Sequence, residues 1–108
     1  GGWDYGADPA GFDRHVGTYR SREWGDIIIT REGDTLLVEV PELTSMNIEP
    51  ELEPLWENVF LMHYAGNSTK DFAFVPAEPG GQSVWLRNRG VGGRRVEEFA
   101  DGGVDGGE

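Results

Sequence analysis

Short β-branched and aromatic runs recur along this chain at intervals of roughly 8–12 residues, each closed by Gly, Pro, Asn or Asp. That punctuation constrains the fold more than any other feature. Ile27-Ile28-Ile29-Thr30 is β-branched throughout, which favours strand over helix. Thr35 to Val40 alternates, with Leu36, Val38 and Val40 on one face and Leu37 and Glu39 on the other, until Pro41 ends it. Asn58 to Tyr64, the alternating pair Phe72 and Phe74, Ser83 to Asn88, and Arg95 to Phe99 read as further strands. Pro41 to Glu57 reads as one irregular strand interrupted by Pro50, at an edge or a bulge. With Val16 to Arg22 the chain offers about eight short strands and no long helix, the pattern of a meander barrel or a sandwich.

The opening strand is the most specific of these. In Val16-Gly17-Thr18-Tyr19-Arg20-Ser21, Gly17 lets a neighbour approach the backbone and Tyr19 is bulky enough to plug one end of an interior. Residues 1–11 read as a polar leader, 12–100 as the barrel domain and 101–108 as a Gly/Asp tail that can bury nothing. Asp8-Pro9 is a reasonable start for a helical turn leading into the first strand. Val38, Val40, Phe60, Met62, Phe72, Phe74, Val84 and Leu86 are the residues expected to fill the interior.

Composition narrows function by exclusion. The chain has no cysteine, so disulfides and thiolate chemistry are out. No apolar run approaches the roughly 20 residues that span a bilayer, and no secretory leader is visible, which leaves the compartment open. Nine basic residues against twenty acidic ones give a net charge of −11, and Lys70 is the single lysine. Such a surface repels nucleic acid and anionic membranes. Acidity spread along the whole chain with lysine avoided also suggests adaptation to high salt.

No catalytic or metal-binding constellation stands out, and no cofactor is implied. His15 and His63 are far apart, and His15 with nearby Asp13 lacks a third ligand at short range. Ser21, Ser45, Ser68 and Ser83 have no base at a recognisable spacing; Ser68-Thr69-Lys70 misses the Ser-x-x-Lys arrangement by one residue. Glu49, Glu51 and Glu53 would share a strand face, best read as a solvated edge. Among the aromatics, Trp3, Tyr5 and Trp24 are candidates for a docking surface, while Trp56 and Trp85 fall near strand ends or turns.

Several motifs in order resemble one family. Phe12-Asp13-Arg14-His15-Val16-Gly17-Thr18-Tyr19 is similar to the Tyr-Val-Gly-x-Tyr opening of the lipocalin-like C-terminal domain carried by β-lactamase-type serine hydrolases. Asp34-Thr35-Leu36, Pro54 to Phe60, Phe72-Ala73-Phe74 and Arg94-Arg95-Val96 resemble its later strands. His15 stands where the family has tyrosine, and the fourth strand is unusually rich in Pro and Glu. The resemblance implies an eight-stranded up-and-down barrel, with a β-sandwich as the alternative. It also implies a non-catalytic accessory domain that docks on a hydrolase domain of the same polypeptide and shapes substrate access or assembly. Barrel closure would fall to Gly17, Tyr19, Arg94 and Arg95, an arginine of the last strand lying across the opening aromatic. The alternative function is a free-standing binder of a small apolar ligand.

Overall fold

The computed structural model of the chain describes residues 9–65 and 68–96. The leader aromatics Trp3 and Tyr5, Asp8, Phe99 and the Gly/Asp tail lie outside the described residues. Eight antiparallel strands close into one barrel in sequence order: β1 (Gly17–Ser21), β2 (Gly25–Glu32), β3 (Thr35–Glu39), β4 (Glu51–Trp56), β5 (Val59–Ala65), β6 (Ser68–Pro76), β7 (Ser83–Asn88) and β8 (Val91–Val96). The first strand closes the barrel on the last, with Tyr19 opposite Arg95 and Arg20 opposite Arg94. The closed barrel is therefore the architecture present, and the sandwich is not.

Alternation decides which side chains fill the interior. Ile27 and Ile29 point inward from β2, Leu36 and Val38 from β3, Phe60 and Met62 from β5, and Phe72 and Phe74 from β6, all essentially buried. Leu52 and Leu86 complete the packing from β4 and β7. Gly93 faces the same interior because there is no room for more. A methyl there would sit 3.3 Å from Tyr19 Cβ and 3.5 Å from Ile27 Cδ1.

Three expectations need correction. Val84 is only half-buried and outside the core, because a bulge between β6 and β7 leaves it as an extra residue between Trp85, opposite Val75, and Ser83, opposite Pro76. Ser83 takes the inward place instead. The passage after Pro41 is not an interrupted strand: α1 (Pro41–Ser45) is a single short helix, and Pro50 is a buried residue just before β4. Glu49, Glu51 and Glu53 do not line an edge either, since a closed barrel has none. Pro54 is tolerated inside β4 next to a second bulge, where the register slips between Pro54 and Trp56.

Candidate functional site

Because the strands alternate in direction, every connection falls at one of two ends, and the two ends differ. At one end a 3-10 helix, Pro9–His15, precedes β1 and seals the barrel. Phe12 packs edge-on against Phe60 at 5.6 Å between ring centroids, and His15 stacks on Phe74 at 4.2 Å. Phe60 and Phe74 meet each other edge to face at 5.5 Å, so four rings form one cluster over the core. Arg14 fixes the plug from outside, donating from Nη1 to the Gly11 carbonyl at 2.9 Å and from Nη2 toward the Glu57 carbonyl and Asn58 Oδ1, both at 3.3 Å.

Arg95 ties this end to the last strand. Its guanidinium donates to the carbonyls of Ser83, Val16 and Arg14, and from Nη2 to the Tyr19 hydroxyl at 2.9 Å. It also lies 4.9 Å from the Tyr19 ring centroid. Tyr19 in turn donates its hydroxyl to the His15 carbonyl at 2.8 Å. Gly17 makes this possible, because its φ of 149° suits glycine and a Cβ there would collide with the Arg95 guanidinium. Arg94 does not share this role: it points outward, over Trp85 at 5.9 Å. Of the two arginines expected at the closure, only Arg95 touches Tyr19.

The sealed end also joins His15 to Ser83, whose Nδ1 and Oγ share a hydrogen bond of 2.6 Å. Local spacing in the sequence offers no base for Ser83, because 68 residues separate it from this partner. Both side chains are completely buried, so no dissolved substrate can reach the hydroxyl. Burial, reinforced by the cation of Arg14 and then of Arg95, lowers the His15 pKa to about 4 although the Glu57 main chain opposes the shift. The ring is neutral at pH 7, and its Nε2 has no partner within hydrogen-bonding geometry among the described residues. Burial likewise pushes the Tyr19 hydroxyl up to about 12, against the pull of Arg95. The arrangement is a structural rivet. His63, the other histidine, sits on the outer wall with Nε2 2.7 Å from Glu53 Oε1.

The opposite end is open. Here a pocket of about 580 Å³ enters the barrel mouth. Met62 and Val40 form its inner wall, and Trp24 and Tyr64 its flanks. Leu43, Met46 and Ile48, on and just after α1, hang over it as a partial cover. That cover is light. The helix α1 has one turn, no buried residue and no side-chain cap, and the Ile48 N–H ties the loop beyond it back to the Leu43 carbonyl at 2.9 Å. Glu23, Glu42 and Lys70 supply the charges at the rim, with the Lys70 ammonium 5.7 Å over the Tyr64 ring. Trp24, one of the residues expected on a docking surface, lines this pocket half-buried, its ring tilted against Phe72 at 6.1 Å. Among the described residues no group of three His, Asp or Glu side chains is placed to hold a metal ion.

Comparison with protein-family models, curated proteins and solved structures finds no match.

Proposed function

We propose that the barrel binds a small apolar molecule at its open end. The observation that carries this reading is the pocket of about 580 Å³ walled by Met62, Val40, Trp24 and Leu43 at the end opposite the 3-10 plug. Its size lies within the range of small-molecule sites, which run from roughly 300 to 1,000 Å³ and are mostly apolar with a few polar groups at the rim. A fluorescent fatty acid titrated into the protein tests it, read by the emission of the fatty acid itself. Saturable one-to-one binding at micromolar concentration is the expected result. Met46, half exposed at the mouth, gives the matched variant. Met46→Asp should weaken binding about tenfold or more by placing a charge against the apolar ligand, with an unchanged melting curve. No saturable binding, or equal binding by the variant, removes the reading.

The second reading is the accessory domain of a serine hydrolase. What supports it is the contact of Arg95 with Tyr19 over Gly17, the closure that the family resemblance implies. Its test is the coding sequence upstream of Gly1, where a Ser-x-x-Lys helix is expected. The two readings are compatible, since a pocket at a barrel mouth can sit beside a docked catalytic domain.

A further inference from the structure

The few cations of this acidic chain are not scattered. Arg14 and Arg31 face carboxylates at the sealed end, Arg95 is inside it, and Lys70 is at the pocket. The remaining five, Arg20, Arg22, Arg87, Arg89 and Arg94, all belong to β1, β7, β8 or the turns just after β1 and β7. Only Arg20 has an ion-pair partner, Asp26 at 2.9 Å; the other four have none within reach among the described residues. Among the described residues, four arginines with no ion-pair partner on one wall are an uneven distribution for so acidic a chain.

Register turns that wall into a row. Arg20 lies opposite Arg94, Arg94 opposite Trp85, and Trp85 opposite Val75, across four neighbouring strands. Trp85 is 44% and Val75 37% exposed, among the largest exposed apolar side chains described. The guanidinium of Arg94 over the Trp85 ring presents an apolar face with a cation beside it. Arg87 and Arg89 extend the positive charge toward the open end. The outward carboxylates of β3 and β4, Glu39 and Glu51, lie on the far side of the barrel.

We propose that this outer wall docks an acidic protein segment carrying an apolar side chain, with carboxylates on Arg87 and Arg94 and the apolar group against Trp85 and Val75. Charge complementarity selects the partner, since planar guanidinium groups match carboxylates in paired hydrogen bonds. Extent selects its size. Three strand spacings of about 4.8 Å give the row a span of roughly 14 Å, enough for a few carboxylates. A nucleic acid strand would run past the row onto a surface of net charge −11, where its phosphates are repelled. A second copy could offer its acidic β3–β4 wall, but that head-to-tail contact would build a ring or an open filament rather than a two-fold dimer. This surface is separate from the pocket, so either proposal can fail alone.

Fluorescence anisotropy of a fluorescein-labelled peptide, glutamates flanking a central phenylalanine, tests the proposal on the whole chain. Saturable binding is expected, weakened at least about tenfold in the double variant Arg87→Gln/Arg94→Gln and in Trp85→Gln. The glutamine counterpart of the peptide should not bind, and Glu39→Gln/Glu51→Gln on the far wall should not weaken binding. These side chains are all on the outside of the barrel, so thermal melts should be unchanged; if the double variant does not fold, Trp85→Gln carries the test. Absence of saturable binding, equal affinity in the wall variants, or equal binding of labelled oligothymidine overturns it. So does concentration-dependent self-association that the double variant abolishes, which would make the occupant a second copy.

Discussion

The two ends of the barrel use the same kinds of residue to opposite effect. At the sealed end Phe12, His15, Phe60 and Phe74 meet ring to ring, and Arg95 spends its donors on three carbonyls and the Tyr19 hydroxyl. At the open end Trp24, Tyr64, Leu43 and Met46 are equally apolar but leave a pocket between them. The difference lies in the segments that flank the strands. A 3-10 helix placed directly before β1 can drop two side chains into the interior, whereas the single turn of α1 buries none. Eight strands enclose a lumen just wide enough for side chains or one small ligand. Here one half takes the first solution and the other half leaves room for the second.

Truncating one residue at each end gives the largest contrast. Phe60→Ala should destabilise the protein by about 3–5 kcal/mol, because a fully buried ring touching Phe12, His15 and Phe74 leaves a cavity that the plug cannot collapse into. Leu43→Ala should cost less than about 1 kcal/mol, since Leu43 is only partly covered. Urea unfolding of both variants reads the difference directly. Equal costs would mean that the cover over the pocket is as much a part of the core as the plug.

Acid should strike the sealed end next. The His15 pKa falls from 6.5 to about 4 on folding, so between those values the unfolded chain binds more protons than the folded one. Stability then rises with pH across that window: the contribution is whole above about pH 6.5 and progressively lost down to about pH 4. A depression of that size corresponds to about 3 kcal/mol. Carboxylates titrate in the same range, so the measurement is the difference between the wild type and His15→Gln from pH 7 to pH 4. Its shrinkage on acidification is expected; parallel curves would mean that His15 accepts a proton in place.

The sealed end is more legible in the sequence than the open one, for local reasons. Gly17 and Tyr19 stand two residues apart in one strand, so their roles follow from backbone freedom and bulk. The partner arginine comes from the resemblance, which does not separate Arg94 from Arg95; register does, by turning alternate residues of β8 outward. His15 and Ser83 meet only through the closed topology, and Ser83 faces inward only because Val84 bulges. The pocket is hidden from the sequence because its cover is the stretch that reads as an irregular strand. Pro41 reads as a strand stop, yet proline also suits a first helical turn, and five residues are too few to show a helical period.

Salt should produce the smallest effect and act on the two ends in opposite directions. The sealed end holds the ion pairs Arg14–Glu57 at 3.6 Å and Arg31–Asp13 at 3.2 Å, whose acidic partners are largely solvated. Such pairs contribute no more than about 1 kcal/mol each, and salt weakens them. Elsewhere carboxylates outnumber cations, and the pocket rim sets Glu23 and Glu42 against Lys70 alone. Raising the ionic strength from 0.1 M to 1 M shortens the Debye length from about 10 Å to about 3 Å and screens that repulsion. With a net charge of −11 the relief should outweigh the lost pairs, for a net gain of roughly 1 kcal/mol or less in KCl. Sulfate at matched ionic strength should add more, because its exclusion strengthens apolar burial, and the chloride series isolates screening. A melting temperature that does not move in KCl would remove the reading of the composition as salt adaptation. One that falls would show that the few paired charges around the plug outweigh the repulsion among the chain's excess carboxylates.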